Sequence, residues 1–422
     1  MSVSGRSLVK PLMPVEIGGA RIPYAQGMVA GHWLFATGHM AQDASGALMR
    51  DVETAGLPHG GLPQNQKEAE HIFTRIAEVC AAGGTDLEHI VRVDQYYAAY
   101  TAVDHYHVVR HRRLRAVPPS TSMIVQGLST PGACINVQAV ATLPAAGHAI
   151  EPIRDPAIDA HPTSGYPAAL RCGDFVFLPG MTPSPKPGRP GRNGIAEEAQ
   201  MPEGYLWRST PIRLETEYII REKILPALAL AGSSAANMCK AQVYLVHPQD
   251  YAPFLQAWNA HFGASPCALS IIPCANPGIG QRNARLEINV LALRDGGTTR
   301  KEIVGDDIFT GFDGVPGGVR AGDLLFLSGL MAVDRDGLVA AARVDTRQPY
   351  LNSSIKQQTR DILARAQTIC ERGGTSLANI VRIQHFHTDL AELLPALEVW
   401  QERLPGIPLP FTAVQTPRVY AP

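Results

Sequence analysis

A helix end, a glycine-rich turn and the start of a strand recur three times in this chain of 422 residues. The three segments are AGGTDLEHIVRV from Ala82, AGSSAANMCKAQV from Ala231 and RGGTSLANIVRI from Arg372. Upstream of each lies a glycine-led, apolar strand: AGHWLFATGHM (30–40), CGDFVFLPGMT (172–182) and AGDLLFLSGLM (321–331). The period of about 145 residues is that of a whole domain, not of a solenoid repeat. We therefore predict three tandem domains, 1–150, 151–300 and 301–422.

The first copy predicts the element order β-β-α-β-α-β-β. Its first helix ends at the glycine pair 83–84, a common helix C-cap, and its second helix covers about 103–115. The last strand, CINVQAVAT, places Ile135 and Val137 on one face and Asn136 and Gln138 on the other. This pattern predicts an α+β fold in which each copy is a mixed sheet with two helices on one face.

The junctions between the copies are rich in proline and glycine, at 143–162 and 294–307. The second copy carries an additional stretch, about 183–210, whose prolines and glycines predict a long loop. Such a loop is often a lid or an interface element, and plain surface decoration is the alternative. The third copy stops before its last strand, so we expect domain 3 to be truncated there.

Composition narrows the classes of partner. Lys and Arg total 37 against 38 Asp and Glu, so no charge excess draws the chain to nucleic acid or to an anionic membrane. The seven cysteines are scattered without a CxxC pair, which argues against a disulfide framework and a structural zinc site. No run of about 18 apolar residues and no nucleotide-binding glycine motif occurs. We expect a cytoplasmic protein that binds a small molecule and has no cofactor.

Three segments of the first copy carry a resemblance to a known family. IPYAQGMVAGHWLFATGHM, AGGTDLEHIVRVDQYY and PPSTSMIV followed by INVQAVA resemble the RidA (YjgF/YER057c/UK114) imine and enamine deaminases. The resemblance extends over all three copies. It implies a chorismate-mutase-like fold, usually assembled as a homotrimer with ligand clefts between neighbouring subunits. Three copies in one chain then imply a monomeric pseudo-trimer, or a dimer of it, whose clefts are free to diverge.

The resemblance also implies which positions line the clefts, and this chain departs from the family at several of them. The arginine that clamps a substrate carboxylate is replaced in every copy, by Ser120, Ala268 and Pro410. The glutamate that handles water corresponds to Asn136 and Glu287, and the tyrosine to Tyr24, Tyr166 and Val315. The asparagine of the second helix corresponds to His107, Leu255 and Leu397. A position that often holds cysteine carries hydroxyls: Ser122, Ser270 and Thr412.

The first copy is the most polar at these positions and is our expected working site. A histidine beside a hydroxyl is suited to general acid–base work on an imine, enamine or amide. We take His107, Ser122, Tyr24 and Glu287 as candidate catalytic residues. The candidate substrate-binding residues are His39, Gln95, Ser120, Asn136, Tyr166, Ser270 and Arg285. The alternative is that His39 and His107 are ordinary histidines and that Ser122 satisfies backbone groups.

Two pairs of side chains that suggest a clamp or a metal site have structural explanations. Arg285 lies two residues before Glu287 on one strand and is either a substitute clamp or, as we favour, an intrastrand ion pair. His385 and His387 share a strand face, but no third ligand accompanies them in the motif, so we predict no metal site. Trp258, Trp400, Cys267 and Cys274 are typical of a core.

Three functions remain open at this point. The leading hypothesis is a hydrolase or deaminase that attacks a C=N or C–N bond of a small nitrogenous metabolite at an interdomain cleft. The second is a non-catalytic binding protein, because the clamp arginine is absent from every copy. The third, by analogy of architecture alone, is a cyclic amide hydrolase with a serine nucleophile, although no lysine stands at an evident partner position.

Overall fold

The computed structural model describes residues 9–16, 22–53, 61–158, 165–205, 207, 209–275, 278–345, 347–348, 350 and 352–418. Its longer helices are α1 Gln64–Gly83, α2 Thr101–Arg113, α3 Pro211–Ile219, α4 Leu225–Leu230, α5 Tyr251–Phe262, α6 Ser354–Arg372 and α7 Leu393–Arg403. A π turn, Ile220–Ile224, joins α3 to α4. Helix α1 ends as predicted, because Gly84 follows it in the left-handed conformation with φ of 83°.

The strands are numbered in chain order. They are β1 Val9–Leu12, β2 Val15–Glu16, β3 Pro23–Tyr24, β4 Gly27–Ala30, β5 Trp33–His39, β6 Ile90–Tyr97, β7 Ser120–Ile124, β8 Gly127–Leu128, β9 Ile135–Thr142, β10 Ile150–Ile153, β11 Ala169–Cys172, β12 Phe175–Phe177, β13 Gly191–Arg192, β14 Ile195–Ala196, β15 Ser233–Leu245, β16 Ala268–Pro273, β17 Leu286–Arg294, β18 Lys301–Val304, β19 Gly318–Ala321, β20 Leu324–Leu327, β21 Val333–Asp334, β22 Gly337–Leu338, β23 Ile383–His387 and β24 Phe411–Gln415.

The chain forms two compact units that cut across the three predicted domains. Unit 1 contains residues 1–118, 124–148 and 376–416, and unit 2 contains residues 119–123, 149–375 and 417–422. The second half of the third copy therefore packs with the first copy, and its first half packs with the second copy. The segment 119–123 of the first copy belongs to unit 2.

In unit 1, the strands of the first copy form an antiparallel sheet in the order β1-β4-β5-β9-β6. The apolar faces of α1 and α2 cover this sheet, and Phe73, Val109 and Val137 belong to one buried core. Along the described part of the first copy, α1, β6 and α2 follow one another as predicted, but five strands precede α1 and three follow α2, where the sequence predicts two and two. From the third copy, β23 pairs in parallel with β24, and the segment before β24 reaches the first copy. There Leu409 donates from its backbone to Pro23 O at 2.9 Å and accepts from Ala25 N at 3.1 Å.

In unit 2, the second copy repeats this plan with the sheet order β10-β11-β12-β17-β15-β16, in which β15 and β16 are parallel. Its core includes Ile219, Phe254, Trp258 and Ile288, so Trp258 is the core aromatic that the sequence predicts. The first half of the third copy contributes the smaller sheet β18-β19-β20. Copies one and two thus share one α+β architecture, which is the predicted class.

A buried glutamate on the first helix fixes the start of the last strand in copies one and two. Glu68 accepts hydrogen bonds from the backbone N–H groups of Cys134, at 2.7 Å, and Ile135, at 3.2 Å. Glu215 accepts one from Arg285 N at 2.9 Å. Burial raises the pKa of Glu215 to about 7, against the opposing effect of Arg285. These contacts make Glu68 and Glu215 equivalent positions of the two copies.

No helix within the described residues is long and apolar enough to span a membrane.

Candidate functional site

A cavity of about 260 Å³ lies in unit 1, at the meeting of the first copy with the end of the third. The first copy contributes Tyr24, Gly38 and Asn136, which belong to β3, β5 and β9. The third copy contributes side chains of α7, of the turn before it and of β24. The lining residues are Ile22, Tyr24, Gly38, Met40, Gln42, Gly46, Ser129, Asn136, Leu390, Ala391, Leu393, Leu394, Leu397, Phe411, Thr412 and Ala413. None of these carries a charge, and the volume suits a small metabolite.

Two lining atoms are buried without a hydrogen-bond partner: Asn136 Oδ1 and Thr412 Oγ1. Gly38 permits their approach, because a Cβ on Gly38 would lie 2.4 Å from Thr412 Oγ1 and 2.8 Å from Asn136 Oδ1. A buried polar atom without a partner costs free energy, and native structures contain few of them. A ligand group that hydrogen-bonds to these two oxygens would remove that cost.

Tyr24, by contrast, has its hydroxyl fully engaged within the protein. The hydroxyl lies 2.7 Å from Thr37 Oγ1 and 3.0 Å from Gly38 O. Thr37 Oγ1 in turn donates to Ala25 O, so the single tyrosine proton is directed to Thr37 Oγ1 or to Gly38 O, both within the protein. Burial raises the pKa of Tyr24 to about 12, against the hydrogen bond with Thr37. Tyr24 therefore shapes the cavity and is poorly placed to give a proton to a ligand.

Apart from Gln42 and Ser129, the remaining wall of the cavity is largely apolar. Leu397 stands where the resemblance places the second-helix asparagine of the family, and Pro410 takes the place of the clamp arginine just before Phe411. The ring of Phe411 packs edge-on against Tyr24, with centroids 5.1 Å apart. A cavity with leucine in place of the asparagine and proline in place of the arginine favours an uncharged ligand with an apolar body.

Three predicted site residues of the first copy lie in unit 1 but outside this lining. His39 bonds through Nε2 to Gln26 O at 3.0 Å, and burial lowers its pKa to about 4. Gln95 points to the helices, where it donates to Tyr106 Oη at 3.1 Å. His107 lies on α2, where burial and then the charge of Arg110 lower its pKa to about 3. The structure therefore does not bring His39 or His107 to Tyr24 and Asn136 as one acid–base cluster.

The paired histidines of the third copy form a neutral hydrogen-bonded chain. Trp400 donates from Nε1 to His385 Nε2 at 3.0 Å, so that nitrogen is unprotonated. His385 Nδ1 then donates to His387 Nε2 at 3.4 Å. Burial, together with His387, lowers the pKa of His385 to about 3. Across the described residues, no group of three or more His, Cys, Asp or Glu is placed to hold a metal ion.

The remaining predicted residues belong to unit 2. Ser120 accepts from Gly180 N at 2.9 Å through its carbonyl. A Cβ on Gly180 would fall against Glu287 and lie 3.1 Å from Thr121 Oγ1. Thr121, not Ser122, is thus the hydroxyl beside this glycine. Copy one therefore differs by one residue from copy three, where Thr412, which corresponds to Ser122, lies beside Gly38. Tyr166 is half-buried in the same unit.

Ser270 has a lysine partner that the sequence did not reveal. Lys240 donates from Nζ to Ser270 Oγ at 2.7 Å and to Leu327 O at 2.6 Å. Because β15 and β16 run in parallel with Gln242 opposite Ser270, the two side chains project from neighbouring strands on one face. The second bond, to a backbone carbonyl of β20, makes Lys240 a clamp between strands as well as a partner of Ser270.

Arg285 is paired with a different carboxylate from the one the sequence suggests. Its Nη1 donates to Asp250 Oδ2 at 2.7 Å, and the Asp250 side chain is buried. Arg285 precedes β17 and is directed to the turn before α5. The expected pairing with Glu287 is therefore wrong, since Asp250 takes that role.

Comparison with known proteins shows what parts of the chain are similar to. Residues 315–419 match the family described as Endoribonuclease L-PSP. Yeast Protein MMF1, mitochondrial, is 23% identical over 130 residues, which is 31% of this chain and 75% of that protein. The crystal structure of yeast Mmf1 aligns at 22% identity and a TM-score of 0.27, over 35% of this chain and 100% of that one. E. coli TdcF with bound serine aligns at 17% identity and a TM-score of 0.26, over 34% and 99%.

Several residues of these sites escaped the sequence. Gly38, Gly180 and Gly329 each stand before a hydroxyl side chain, a pattern that the repeated glycine in ATGHM, LPGMT and LSGLM could have signalled. Leu397 and Thr412 were identified at their positions, but nothing in the sequence indicated that they complete a cavity of the first copy. That requires knowing that the segment before β24 of the third copy pairs with β3, a contact between residues almost 400 positions apart.

Proposed function

We propose that this RidA-family chain binds a small, uncharged, largely apolar metabolite in the unit 1 cavity and does not transform it there. The carrying observation is the pair of unpartnered oxygens, Asn136 Oδ1 and Thr412 Oγ1, in a lining without charge. Both accept hydrogen bonds, so the ligand presents an N–H or O–H donor. A neutral primary amide or a lactam with a short aliphatic body fits this chemistry.

The absence of a titrating group in the lining supports binding over catalysis. General acid–base catalysis needs a side chain whose pKa lies near the working pH. Tyr24 has a raised pKa and an engaged hydroxyl, and the lining holds no histidine, acid or lysine among the described residues. Carboxylate substrates find no guanidinium here, because Pro410 stands at the clamp position.

Binding of isovaleramide, compared with isovalerate, tests this proposal. We expect the amide to bind and to raise the melting temperature, and the carboxylate to do neither. Thr412→Val should weaken amide binding about tenfold, the equivalent of about 1.4 kcal/mol, since one hydrogen bond is lost. Ligand-observed NMR titration measures both affinities, and release of ammonia is followed in parallel.

Thr310→Val is the matched control. Thr310 Oγ1 is likewise buried without a partner, but it lies outside the cavity lining. This variant should bind isovaleramide as the parent chain does. Equal binding of amide and carboxylate, or equal loss in both valine variants, would contradict the proposal.

A second candidate, hydrolysis or deamination at a C=N or C–N bond, is supported by unit 2. Glu287 keeps the glutamate of the family and lies with Thr121 beside Gly180. A carboxylate next to a hydroxyl is suited to activating water. Ammonia release from the amide that is lost in Glu287→Gln would favour this candidate. Release that survives in Glu287→Gln but is lost in Ser270→Ala would favour the serine nucleophile, with Lys240 as its partner.

We also propose that the three copies form a pseudo-trimer within one chain. A cyclic set of contacts supports it: Thr412 of copy three meets Gly38 of copy one, Thr121 of copy one meets Gly180 of copy two, and Ser270 of copy two meets Gly329 of copy three. The strand that follows the second helix of each copy thus places a hydroxyl side chain against a glycine of the next copy. Sedimentation should give the mass of one chain, 45.4 kDa, or twice that, and a threefold mass would contradict it. The cytoplasmic location stays a prediction.

A further inference from the structure

Between its buried glutamate and the glycine that follows it, the first helix of the second copy has one more residue than its counterpart in the first copy: Glu215 to Gly232 against Glu68 to Gly84. Glu68 corresponds to Glu215, and the buried Phe73 corresponds to Ile220. The next buried apolar residue is Ile76, three positions on, in α1, but Ile224, four positions on, in the second copy. The extra residue is accommodated in the π turn Ile220–Ile224. Such turns are rare and frequently occur at functional sites.

The π turn places an amine where α1 is exposed to solvent. Thr74 and Arg75 are exposed at this level of α1, whereas Lys223 in the π turn is only 9% exposed. Its Nζ donates to Ser184 Oγ at 2.6 Å, and Ser184 begins the insertion that the other copies lack. Tyr218 also holds this segment, by donating to Ser184 O at 3.3 Å. The π turn of the second copy thus carries the buried amine of Lys223, and the insertion contacts it.

No carboxylate pairs with Lys223 among the described residues. The nearby Lys186 is a like charge, and it is itself paired with Glu222 at 2.7 Å. Two other partly buried lysines are held differently: Lys240 by Ser270 and a backbone carbonyl, and Lys301 by Ala236 O and by two oxygens of Ser265. A buried ammonium with a single neutral partner is unfavourable, so the free amine is formed more readily here than at an exposed lysine.

We propose that Lys223 is a nucleophilic amine that forms a Schiff base with a small aldehyde or ketone. The Nζ lone pair attacks the carbonyl carbon, and the oxygen takes up a proton to give a carbinolamine. Loss of the second amine proton and of the hydroxyl as water leaves the C=N bond, so amine and carbonyl give imine and water without a redox partner. Ser184 Oγ, in contact with Nζ, is placed to relay the proton. This site is independent of the unit 1 cavity and of its proposed ligand.

The electrostatics act in the same direction. Burial, followed by the charge of Lys186, lowers the pKa of Lys223 to about 8. About one molecule in ten then carries the free amine at pH 7, against about one in 2,500 for an ordinary lysine. The other groups around the cluster are Glu222, Glu198, Arg189 and Tyr218. Burial raises the pKa of Tyr218 to about 12, so its hydroxyl stays neutral at pH 7.

Limited reductive alkylation with acetaldehyde and cyanoborohydride at pH 7, followed by peptide mapping, tests the proposal. We expect Lys223 to gain its ethyl group at least tenfold faster than the exposed Lys10. Lys240 and Lys301, which are partly buried but fully engaged, should react more slowly than Lys10. The rate at Lys223 should rise with pH through a midpoint near 8, and Lys223→Met should remove the fast phase while leaving the circular dichroism unchanged.

Modification of Lys223 at or below the rate of Lys10 would overturn the proposal. The Ser184→Ala variant separates reactivity from simple exposure. If Lys223 acts as proposed, this variant slows imine formation while the labelling of Lys10 stays constant. Ser184→Ala could instead raise the labelling rate of Lys223 to that of an exposed lysine and remove the midpoint near pH 8 from its pH dependence. Lys223 would then be a structural residue that Ser184 holds in place.

Discussion

Asp94→Asn is expected to destabilise the folded chain by about 3–5 kcal/mol, because it leaves one buried and one partly buried guanidinium group without their shared carboxylate. Arg92 Nη2 lies 2.6 Å from Asp94 Oδ1, and Arg382 Nη2 lies 2.6 Å from Oδ2. The Asp94 side chain is 2% exposed. All three residues belong to unit 1, so this carboxylate ties the third copy's β23 to the first copy's β6. Chemical unfolding, followed by circular dichroism, measures the loss.

Asp345→Asn is the control for removing a carboxylate from an arginine pair. Asp345 and Arg347 are both largely exposed, and solvent screens such pairs, so a small effect is expected. An equal, small effect of both substitutions would show that the Asp94 cluster does not support the fold. Replacing Arg92 and Arg382 by methionine in the Asp94→Asn background should restore much of the stability, because the unpaired charges are then removed.

The pH dependence of the Asp94 contribution follows from its pKa. Burial raises this pKa, but the charges and hydrogen bonds of Arg92 and Arg382 outweigh burial and hold it below the ordinary value. The carboxylate is therefore ionised in both the folded and unfolded states at neutral pH, and the stabilisation is complete there. It decays only as the pH falls below about 4, through the unfolded and then the folded pKa. The gap between parent and Asp94→Asn should close in that acid range.

The sequence was sufficient for most of the helices and strands, but not for the pairing that builds the sites. Glycine caps, strand alternation and the threefold repeat predicted α1, β6, β9 and the burial of Trp258, because these features depend on local periodicity. The cavity required Thr412 and Leu397 to reach Tyr24. Nothing local encodes that contact, which arises because β24 serves a copy other than its own.

The hydroxyl and charge partners were mispredicted for a related reason. Assigning Ser122 to the same cleft as Tyr24 assumed that the polar residues of the first copy line one cleft, whereas residues 119–123 belong to unit 2. Arg285 was paired with Glu287 by its spacing on one strand, but Arg285 lies before β17 begins and turns to Asp250. Lys240 and Ser270 could have been found, since the parallel pairing of β15 with β16 places both on one face.

Lys223→Met is expected to stabilise the chain by up to about 3 kcal/mol at pH 7. The folded pKa of Lys223 is about 8 against an ordinary value of 10.5, because burial and then Lys186 disfavour its charge. Each pKa unit corresponds to about 1.36 kcal/mol, so carrying the ammonium into the fold costs about 3 kcal/mol. Methionine keeps the length and apolar stem of the side chain without the charge. Its loss of the hydrogen bond to Ser184 reduces the gain by about 1 kcal/mol.

The pH profile separates this charge effect from ordinary packing. Because the folded pKa lies below the unfolded one, the penalty is fully present below pH 8 and disappears as the pH rises toward 10.5, where the unfolded state also loses its proton. The parent chain should therefore approach the stability of Lys223→Met between pH 8 and 10.5, as followed by urea unfolding at fixed ionic strength. Comparing variant with parent cancels the titration of every other group.

Lys10→Met, at an exposed position, should differ from the parent by the same small amount at every pH. A Lys223→Met advantage that stays constant from pH 7 to 10.5 would mean that the folded state holds an ordinary ammonium at Lys223, and the nucleophilic role would then have no physical basis.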